Sequence, residues 1–426
     1  MEIFDSYELI IAASLVIIIS FLFNEFARKT NIPSVLMLIL LGLLMGAGLQ
    51  AMGIDKPEFL PVLKILGTVG LIMIVLEAAL ELELKREKAI PITKAFVIAL
   101  IGLVGSTWVA ALILNYYIPG MNMRSAWLYA TPLSILSSAI IIPSVNGLMG
   151  NKKEFHIYES TFSDILGIML FYFLTGQLDA GENSNGVGEF FINFGLTILI
   201  ALVVSYALVI IFQNIRSHAK LFLLISILML MYALGKKYHL SSLIIILFFG
   251  LVVANMEIFF RGPLRRWLNM TKAKEVYEGL HVVTIETAFI VRTFFFVIFG
   301  LTIAIASIFS VNVATVSGLI ILSIYAIRYL TLRVFVGRDV IPQLFIAPRG
   351  LITILLFYAI PLEAEVPGFD SGILLFIIIA TSLIMTFALI YDKQRTGKAI
   401  KMANDSPIGY KQWKASALNA EESVEK

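Results

Sequence analysis

One aspartate in the middle of an apolar stretch is the residue best placed to do chemistry in this sequence. Asp164 lies about eleven residues into an apolar segment that begins near residue 153, roughly 16 Å along a helix axis. A carboxylate at that depth of a bilayer costs about 2.5 to 3.5 kcal/mol to insert, so it usually faces a cavity or a partner. The alternative is a carboxylate paired only for structural reasons. Asp164 is therefore the first candidate for an ion- and proton-binding residue.

Hydroxyl and carboxyl side chains precede Asp164 at helical spacing. Ser160 is four residues before Asp164 and shares its helix face, whereas Glu159 and Ser163 share the adjacent face. Hard cations prefer oxygen ligands, so the first face could bind a cation such as Na⁺. The second face requires a partner for Glu159.

An arginine at matching depth could supply that partner. Glu159 lies about 9 Å from one end of its apolar segment, and Arg328 lies about 10 Å from the corresponding end of another. Arginine stays charged and forks onto carboxylates. We expect Glu159, Arg328 and a hydrogen bond from Ser163 to form a fixed structural network. Asp164 would then remain unpaired and free to alternate between a proton and a cation.

Three further charged residues lie deep in apolar segments. Glu77 could add a ligand or line an inner funnel, and it could equally be a structural glutamate whose carboxylate reaches the membrane surface. Arg349 lies about 15 Å into its segment and could compensate a helix dipole or tune the field at Asp164. Arg292 has only Glu286 as a nearby acid in its own segment, and the sequence assigns it no role.

The composition places these residues in a membrane. Of 426 residues, 59% are hydrophobic and 14% charged, and apolar runs of about 20 residues recur. Residues 1–7 are acidic and lack the basic start of a cleavable signal, so we expect the first segment to stay in the membrane. The chain has no cysteine, which excludes disulfides and thiolate metal sites. The predicted fold class is an all-α polytopic membrane protein.

Breaks between the apolar runs predict about thirteen transmembrane helices. They cover residues 7–28, 33–52, 60–84, 89–118, 124–150, 153–178, 188–214, 219–237, 240–257, 279–308, 311–335, 338–361 and 370–393. Most lysines and arginines fall in alternate loops, which identifies those loops as cytoplasmic, with the N-terminus outside and the C-terminus inside. We expect residues 1–393 to form one transmembrane domain and residues 394–426 to be a short, disordered cytoplasmic tail.

Two predicted spans contain prolines in comparable places. The fifth has Pro132 and Pro143, and the twelfth has Pro348. Broken spans in corresponding positions of two halves indicate an inverted repeat, here spans one to six on eight to thirteen, with two crossed broken helices. Simple proline kinks are the alternative. Gly42 and Gly46 form a GxxxG pattern that permits close packing, more readily within the chain than across a dimer.

Four stretches resemble the monovalent cation:proton antiporter superfamily. Residues 159–164 (Glu-Ser-Thr-Phe-Ser-Asp) resemble the Glu-Ser-x-x-Asn-Asp motif of its sodium/proton exchanger branch, and residues 76–81 resemble its Phe-Glu-Gly-Gly-Leu segment. Residues 326–330 resemble the segment with that branch's network arginine, and residues 348–351 resemble its Leu-Arg-Gly-Ala. The resemblance implies a thirteen-span fold with crossed broken helices.

The same resemblance implies roles for individual residues. Asp164 would be the ion and proton carboxylate, with Ser160 and Glu77 as auxiliary ligands. Glu159 and Arg328 would form the structural pair. We expect a homodimer in a bacterial cytoplasmic membrane that exchanges a monovalent cation for H⁺, without a cofactor and without a nucleic-acid partner.

The chain also differs from the exchanger branch at two places. Ser163 stands where that branch has Asn or Asp, and residues 136–140 read Leu-Ser-Ser-Ala-Ile where it has Thr-Asp-Pro. The second stretch is similar to the Leu-Ser-Ser-Thr-Ala of the Kef-type potassium efflux branch. Cation ligands there would be hydroxyls and carbonyls around Ser137 and Ser138, a weaker field that suits a larger cation. Na⁺ and K⁺ both remain open, and gating of the Kef type would need a separate subunit.

Ser163 also bears on stoichiometry, because its hydroxyl cannot ionise at any accessible pH. If Asp164 carries one proton or one monovalent cation at a time, exchange is electroneutral at 1:1. Glu77 could carry an additional proton.

Two other function classes compete with exchange. A sodium-coupled solute symporter has a similar crossed-helix architecture and would need a larger cavity. An intramembrane protease would need a second membrane aspartate or a zinc motif. Asp164 is the only aspartate away from the ends of a predicted span, and no HExxH occurs among the four histidines. We therefore expect a transporter and no enzyme.

Overall fold

The computed structural model describes most of the chain. The ranges are residues 6–30, 33–51, 60–82, 84, 86–145, 148, 150–179, 186–215, 220–237, 242–260, 265–266, 268–302 and 310–405.

These ranges contain fifteen α-helices and no strand. The helices are α1 (Ser6–Thr30), α2 (Ser34–Ala51), α3 (Leu60–Glu81), α4 (Ala89–Tyr117), α5 (Met123–Ser134), α6 (Ser138–Ser144), α7 (Gly150–Asp179), α8 (Gly186–Phe212), α9 (Lys220–Lys237), α10 (Ser242–Ala254), α11 (Met256–Phe259), α12 (Met270–Thr302), α13 (Val311–Phe335), α14 (Leu351–Phe357) and α15 (Gly372–Asp405). Within the described residues, nine helical stretches are long and apolar enough to cross a membrane, and the broken stretch Met123–Ser144 is one of them.

The predicted spans correspond to these helices, with three notable differences. The tenth span is predicted to begin at residue 279, but α12 begins at Met270. The first turns of α12 are polar and include an ion pair between Lys274 and Glu278 at 3.9 Å. The thirteenth was expected to end at residue 393, but α15 continues to Asp405. Hydropathy marks only the part of a helix that lies in lipid, so polar extensions escape it. Residues 394–405 of the predicted tail are thus helical, and residues 406–426 lie outside the described residues.

The third difference concerns the twelfth span, expected over residues 338–361. Only α14 (Leu351–Phe357) is α-helical there, and residues 346–350 have no regular structure. Pro348 lies within this irregular segment. The break predicted from the proline is present, and it removes most of the first half of the helix.

The packing brings together helices that the predicted repeat relates to each other. Span three (α3) packs on span ten (α12), and span four (α4) packs on span eleven (α13). One group of neighbours comprises α4, α5, α6, α7, α13, α14 and α15, and another comprises α1, α2, α3, α8, α9, α10 and α12. The two broken spans both belong to the first group.

The two broken spans cross each other at their irregular segments. Helix α5 ends at Ser134 and α6 begins at Ser138, so the break lies between the two prolines rather than at either of them. Ser137 N donates a hydrogen bond to Pro348 O at 3.0 Å across the crossing. Gly350 leaves space for Ser137 there, because a Cβ at this position would lie 2.5 Å from Ser137 Oγ.

Gly42 of the GxxxG pattern in α2 packs within the chain, as the sequence favours. A Cβ on Gly42 would collide with the carbonyl oxygen of Val297 in α12, and a Cβ on Gly300 would collide with the carbonyl oxygen of Ile39. The backbones of α2 and α12 therefore approach as closely as only glycine permits.

We expect Gly42→Ala to destabilise the protein by about 1 to 3 kcal/mol, because the added methyl group meets backbone atoms that cannot rotate away. Gly48→Ala on the same helix is the matched control, since a Cβ there has no atom within 4 Å. Thermal unfolding in detergent would measure both variants. A melting temperature for Gly42→Ala equal to that of Gly48→Ala would contradict the close α2–α12 packing.

Candidate functional site

The long helix α7 places Asp164 halfway along its length. Asp164 is 14 residues after Gly150 and 15 before Asp179. Its side chain is 1% exposed. Because a 30-residue helix is about 45 Å long, the carboxylate lies near the centre of the span, as the sequence predicts.

The two carboxylate oxygens of Asp164 have different surroundings. Ser138 N, at the start of α6, lies 3.4 Å from Oδ2 and donates a long hydrogen bond to it. Oδ1 is buried and has no hydrogen-bond partner among the described residues. The crossing thus delivers one predicted site residue, Ser138, directly to Asp164.

Ser160 and Ser137, two other predicted ligands, are held by backbone contacts. Ser160 Oγ is buried and donates to His156 O at 2.7 Å, one turn earlier in α7. Its hydroxyl proton is therefore directed at its own helix, and its oxygen lone pairs remain for another donor or a cation. Ser137 O accepts a hydrogen bond from Ile141 N at 2.9 Å, and this is the first helical hydrogen bond of α6.

The predicted pair of Glu159 and Arg328 is present with two parallel hydrogen bonds. Arg328 Nη1 lies 2.7 Å from Glu159 Oε1, and Nη2 lies 2.9 Å from Oε2, with both side chains buried. Arg328 Nε and Nη2 also donate to the carbonyl oxygen of Gln343, at 3.1 and 2.9 Å, and Nε donates to that of Leu344. The Arg328 guanidinium thus connects α7 and α13 to residues 343–344, which precede the irregular segment of the twelfth span.

Sequence reasoning missed His156 beside this pair. Its Nδ1 lies 3.3 Å from Glu159 Oε2, and the ring is fully buried. The signal was available, because His156 is three residues before Glu159 and so shares its helix face.

Ser163 differs from the expectation. Its Oγ accepts a hydrogen bond from Leu136 N at 2.9 Å, and its expected bond to Glu159 is not formed. Ser163 lines a cavity of about 20 Å³ together with Glu159, Arg328 and Arg349. That volume suits one water molecule. The reason for the difference is the break in the fifth span, which presents an amide in need of an acceptor.

Arg349 is buried at the crossing, and its guanidinium donates to three backbone carbonyls. Nε lies 2.9 Å from Leu133 O, Nη2 lies 3.2 Å from Ser134 O, and Nη1 lies 2.6 Å from Ala347 O. Leu133 and Ser134 are the last residues of α5, where unsatisfied carbonyls carry partial negative charge. This geometry supports the dipole-compensating role predicted for Arg349.

Arg292 finds its acid on another helix rather than in its own segment. Arg292 Nη2 lies 3.2 and 3.1 Å from the two carboxylate oxygens of Glu77 in α3. Both residues line a cavity of about 60 Å³, bounded also by Glu81 of α3 and by Ser138 and Pro143 of α6. Glu77 thus borders the cavity next to Ser138, as expected of a funnel residue, but it is already paired.

A family model and two solved structures of similar fold all point to sodium/proton exchangers. A family model described as "Sodium/hydrogen exchanger, transmembrane" matches residues 11–391. Two structures of the sodium proton antiporter MjNhaP1 from Methanocaldococcus jannaschii are similar in fold. The structure at pH 8 has a TM-score of 0.64 at 20% identity, covering 93% of this chain and 98% of that one. An electron-microscopy structure has a TM-score of 0.67 at 19% identity, covering 95% and 99%. No curated protein sequence matches.

We expect Arg328→Ala to lower the melting temperature more than Asp164→Asn does. The arginine variant leaves Glu159 as a buried carboxylate without its cation, at a cost of about 3 to 5 kcal/mol. Asp164→Asn removes a charge that has no ion-pair partner among the described residues, so its effect on stability is small. Thermal unfolding of the two purified variants would measure the difference.

The double variant Arg328→Gln with Glu159→Gln is the control for this comparison. It removes both charges, and we expect it to recover part of the stability lost in Arg328→Ala. Equal melting temperatures for Arg328→Ala and Asp164→Asn would argue against a stabilising ion pair.

Proposed function

The chain belongs to the sodium/hydrogen exchanger family, and on that basis we propose that it is a secondary antiporter, exchanging Na⁺ or K⁺ for H⁺ across a membrane by alternating access. Asp164 is the carboxylate that proton and cation share. The observation that carries this proposal is Asp164 Oδ1, a buried carboxylate oxygen at mid-span with no hydrogen-bond partner among the described residues.

The physical reason is the cost of an unpaired buried charge. A carboxylate in the interior must be neutralised by a proton, a cation or a paired side chain. Glu159 has Arg328 and Glu77 has Arg292. The charge of Asp164 would therefore be neutralised by a proton or by a transported cation. Because both bind the same carboxylate, they exclude each other. Mutual exclusion at one group is what exchange requires.

The proposed cation ligands are oxygens close to Asp164 in sequence or in space. Asp164 Oδ1 would be the charged ligand. Ser160 Oγ and the hydroxyl and carbonyl oxygens of Ser137 and Ser138 would complete the site. Without a second carboxylate in the broken fifth span, the field at the site is weak, which favours K⁺ as a substrate alongside Na⁺. Glu159, Ser163, Arg328 and Arg349 hold the surrounding backbone.

The proposed stoichiometry is one cation for one proton. The possible exception was Glu77, which would carry an extra proton if it titrated during the cycle. Its contact with Arg292 at 3.1 Å supports a lasting ion pair instead. Of the carboxylates Glu77, Glu159 and Asp164, Asp164 is then the one that would trade charge, and each cycle would move no net charge.

A sodium-coupled solute symporter is the weaker candidate. The cavity that reaches Ser138 measures about 60 Å³, whereas sites for organic ligands occupy roughly 300 to 1,000 Å³. A bare or partly hydrated alkali cation fits the smaller space. We further propose a homodimer in a bacterial cytoplasmic membrane, with the N-terminus outside and the C-terminus in the cytoplasm.

Purified protein in liposomes with an internal pH dye would test the function. We expect Na⁺, K⁺ or both, added outside, to drive proton movement, and Li⁺ and Rb⁺ would complete the selectivity series. Empty liposomes are the control. Absence of proton movement with all four cations, at several pH values, would refute antiport of alkali cations.

We expect Asp164→Asn to abolish exchange while the protein still inserts and folds, because the amide can hold neither the proton nor the cation. Asp392→Asn on α15 is the matched control and should leave exchange intact. Cation-dependent proton movement retained by Asp164→Asn would remove Asp164 from the transport site.

We also expect transport to be indifferent to voltage. With the pH and cation gradients fixed, the membrane potential would be clamped at zero and then at about 100 mV, where one elementary charge moved is worth about 2.3 kcal/mol. The rate and the reversal point should not change. A reversal point that shifts with voltage would mean more than one proton per cation and would bring Glu77 into the transport site.

A further inference from the structure

The break between α5 and α6 frees three consecutive backbone amides, and each finds a different acceptor. Leu136 N donates to Ser163 Oγ at 2.9 Å, and Ser137 N donates to Pro348 O at 3.0 Å. Ser138 N donates to Asp164 Oδ2 at 3.4 Å. Two of the three acceptors, Ser163 and Asp164, are adjacent residues of α7. These two hydrogen bonds fix the position of the unwound segment along α7.

A glycine one turn further along α7 brings the segment close. The side chain of Ile135 fills the position that a Cβ of Gly167 would occupy. Gly167 is four residues after Ser163 and lies on the same helix face. Ile135 and Leu136 therefore rest directly on α7, immediately beside Asp164.

The position of the unwound segment along α7 decides which carboxylate oxygen of Asp164 is free to bind a cation. Ser138 is only two residues after Leu136, so fixing the Leu136 amide also fixes where the Ser138 amide points. The Ser138 amide takes Oδ2 and leaves Oδ1 without a partner among the described residues. A shift of the segment along α7 would change both the occupied oxygen and the positions of the Ser137 and Ser138 oxygens.

We infer that Ser163 is a positioning residue for the ion site. Its hydroxyl oxygen anchors the Leu136 amide, which holds the unwound segment so that the cation meets Asp164 Oδ1 together with the Ser137 and Ser138 oxygens. This inference rests on the proposed function. It also gives Ser163 a task different from support of the Glu159–Arg328 pair, since Ser163 makes no hydrogen bond to Glu159.

The two roles predict different measurements. If Ser163 serves only stability, its loss lowers the melting temperature and leaves the cation affinity of the folded protein unchanged. If Ser163 positions the site, its loss weakens cation binding in protein that remains folded. The test therefore needs a binding readout beside the transport rate.

The experiment compares Ser163→Ala, Ser163→Thr and Ser163→Val in proteoliposomes and in detergent. Thr and Val have nearly the same shape, and only Thr keeps the oxygen that accepts from Leu136 N. Thr175→Val on α7 is the control, because the Thr175 hydroxyl donates to Phe171 O of its own helix. The readouts are the apparent KM for Na⁺ and K⁺, the maximal rate, and the rise in melting temperature on adding each cation.

We expect Ser163→Ala to raise the apparent KM of the preferred cation about tenfold, because a buried amide loses its acceptor. The stabilisation by added cation should shrink in parallel. Ser163→Thr should lie close to the unsubstituted protein, and Ser163→Val should resemble Ser163→Ala. Should Ser163→Ala fail to fold, the Thr and Val pair still decides the question.

An unchanged KM and an unchanged cation-induced stabilisation in Ser163→Ala and Ser163→Val would overturn the inference. Failure of the proposed function looks different. In that case the unsubstituted protein moves no protons with any of the four cations, or Asp164→Asn remains active, whatever the Ser163 variants do.

Discussion

Breaking a helix inside a membrane leaves backbone amides and carbonyls with no water to bond them, and the site is organised around that constraint. Two spans are broken at the same depth, and each helps to satisfy the other through the bond between Ser137 N and Pro348 O. Arg349 takes up the carbonyls at the end of α5, and side chains of α7 take up the freed amides. Asp164 is one of those acceptors, so the ion site that we propose shares a residue with the contacts that satisfy the broken backbone.

Charge pairing in the interior explains why the acids near the site differ from one another. Glu159 receives two hydrogen bonds from Arg328, and Glu77 receives them from Arg292 on a helix far away in sequence. Each pair is tolerable in an apolar medium because opposite charges offset the cost of desolvation. Among the described residues Asp164 has no ion-pair partner, and it accepts a long hydrogen bond from Ser138 N. The same helix therefore carries one carboxylate held by an arginine and, five residues later, one that we propose takes part in exchange.

Residues without bulk allow these groups to meet. Gly350 leaves room for Ser137 at the crossing, Gly167 leaves room for Ile135 on α7, and the pair Gly42 and Gly300 lets α2 and α12 touch. Small residues in membrane helices bring backbones within hydrogen-bonding reach, which larger side chains would prevent. Close packing is thus a condition for the polar contacts as well as for stability.

The depth of individual residues along their helices could be predicted from the sequence. Residue number converts into distance along a helix axis, so the mid-span position of Asp164 and the equal level of Glu159 and Arg328 followed from counting, and Pro348 correctly indicated a broken span. Lateral neighbours were decided by the tertiary structure. Counting along one helix does not say which helix stands beside it, so the partners of Arg292, Ser163 and Arg349 could not be derived. The location of the first break, between Pro132 and Pro143, was also set by the tertiary structure, because an unwound segment is stable only where neighbouring helices offer partners for its amides.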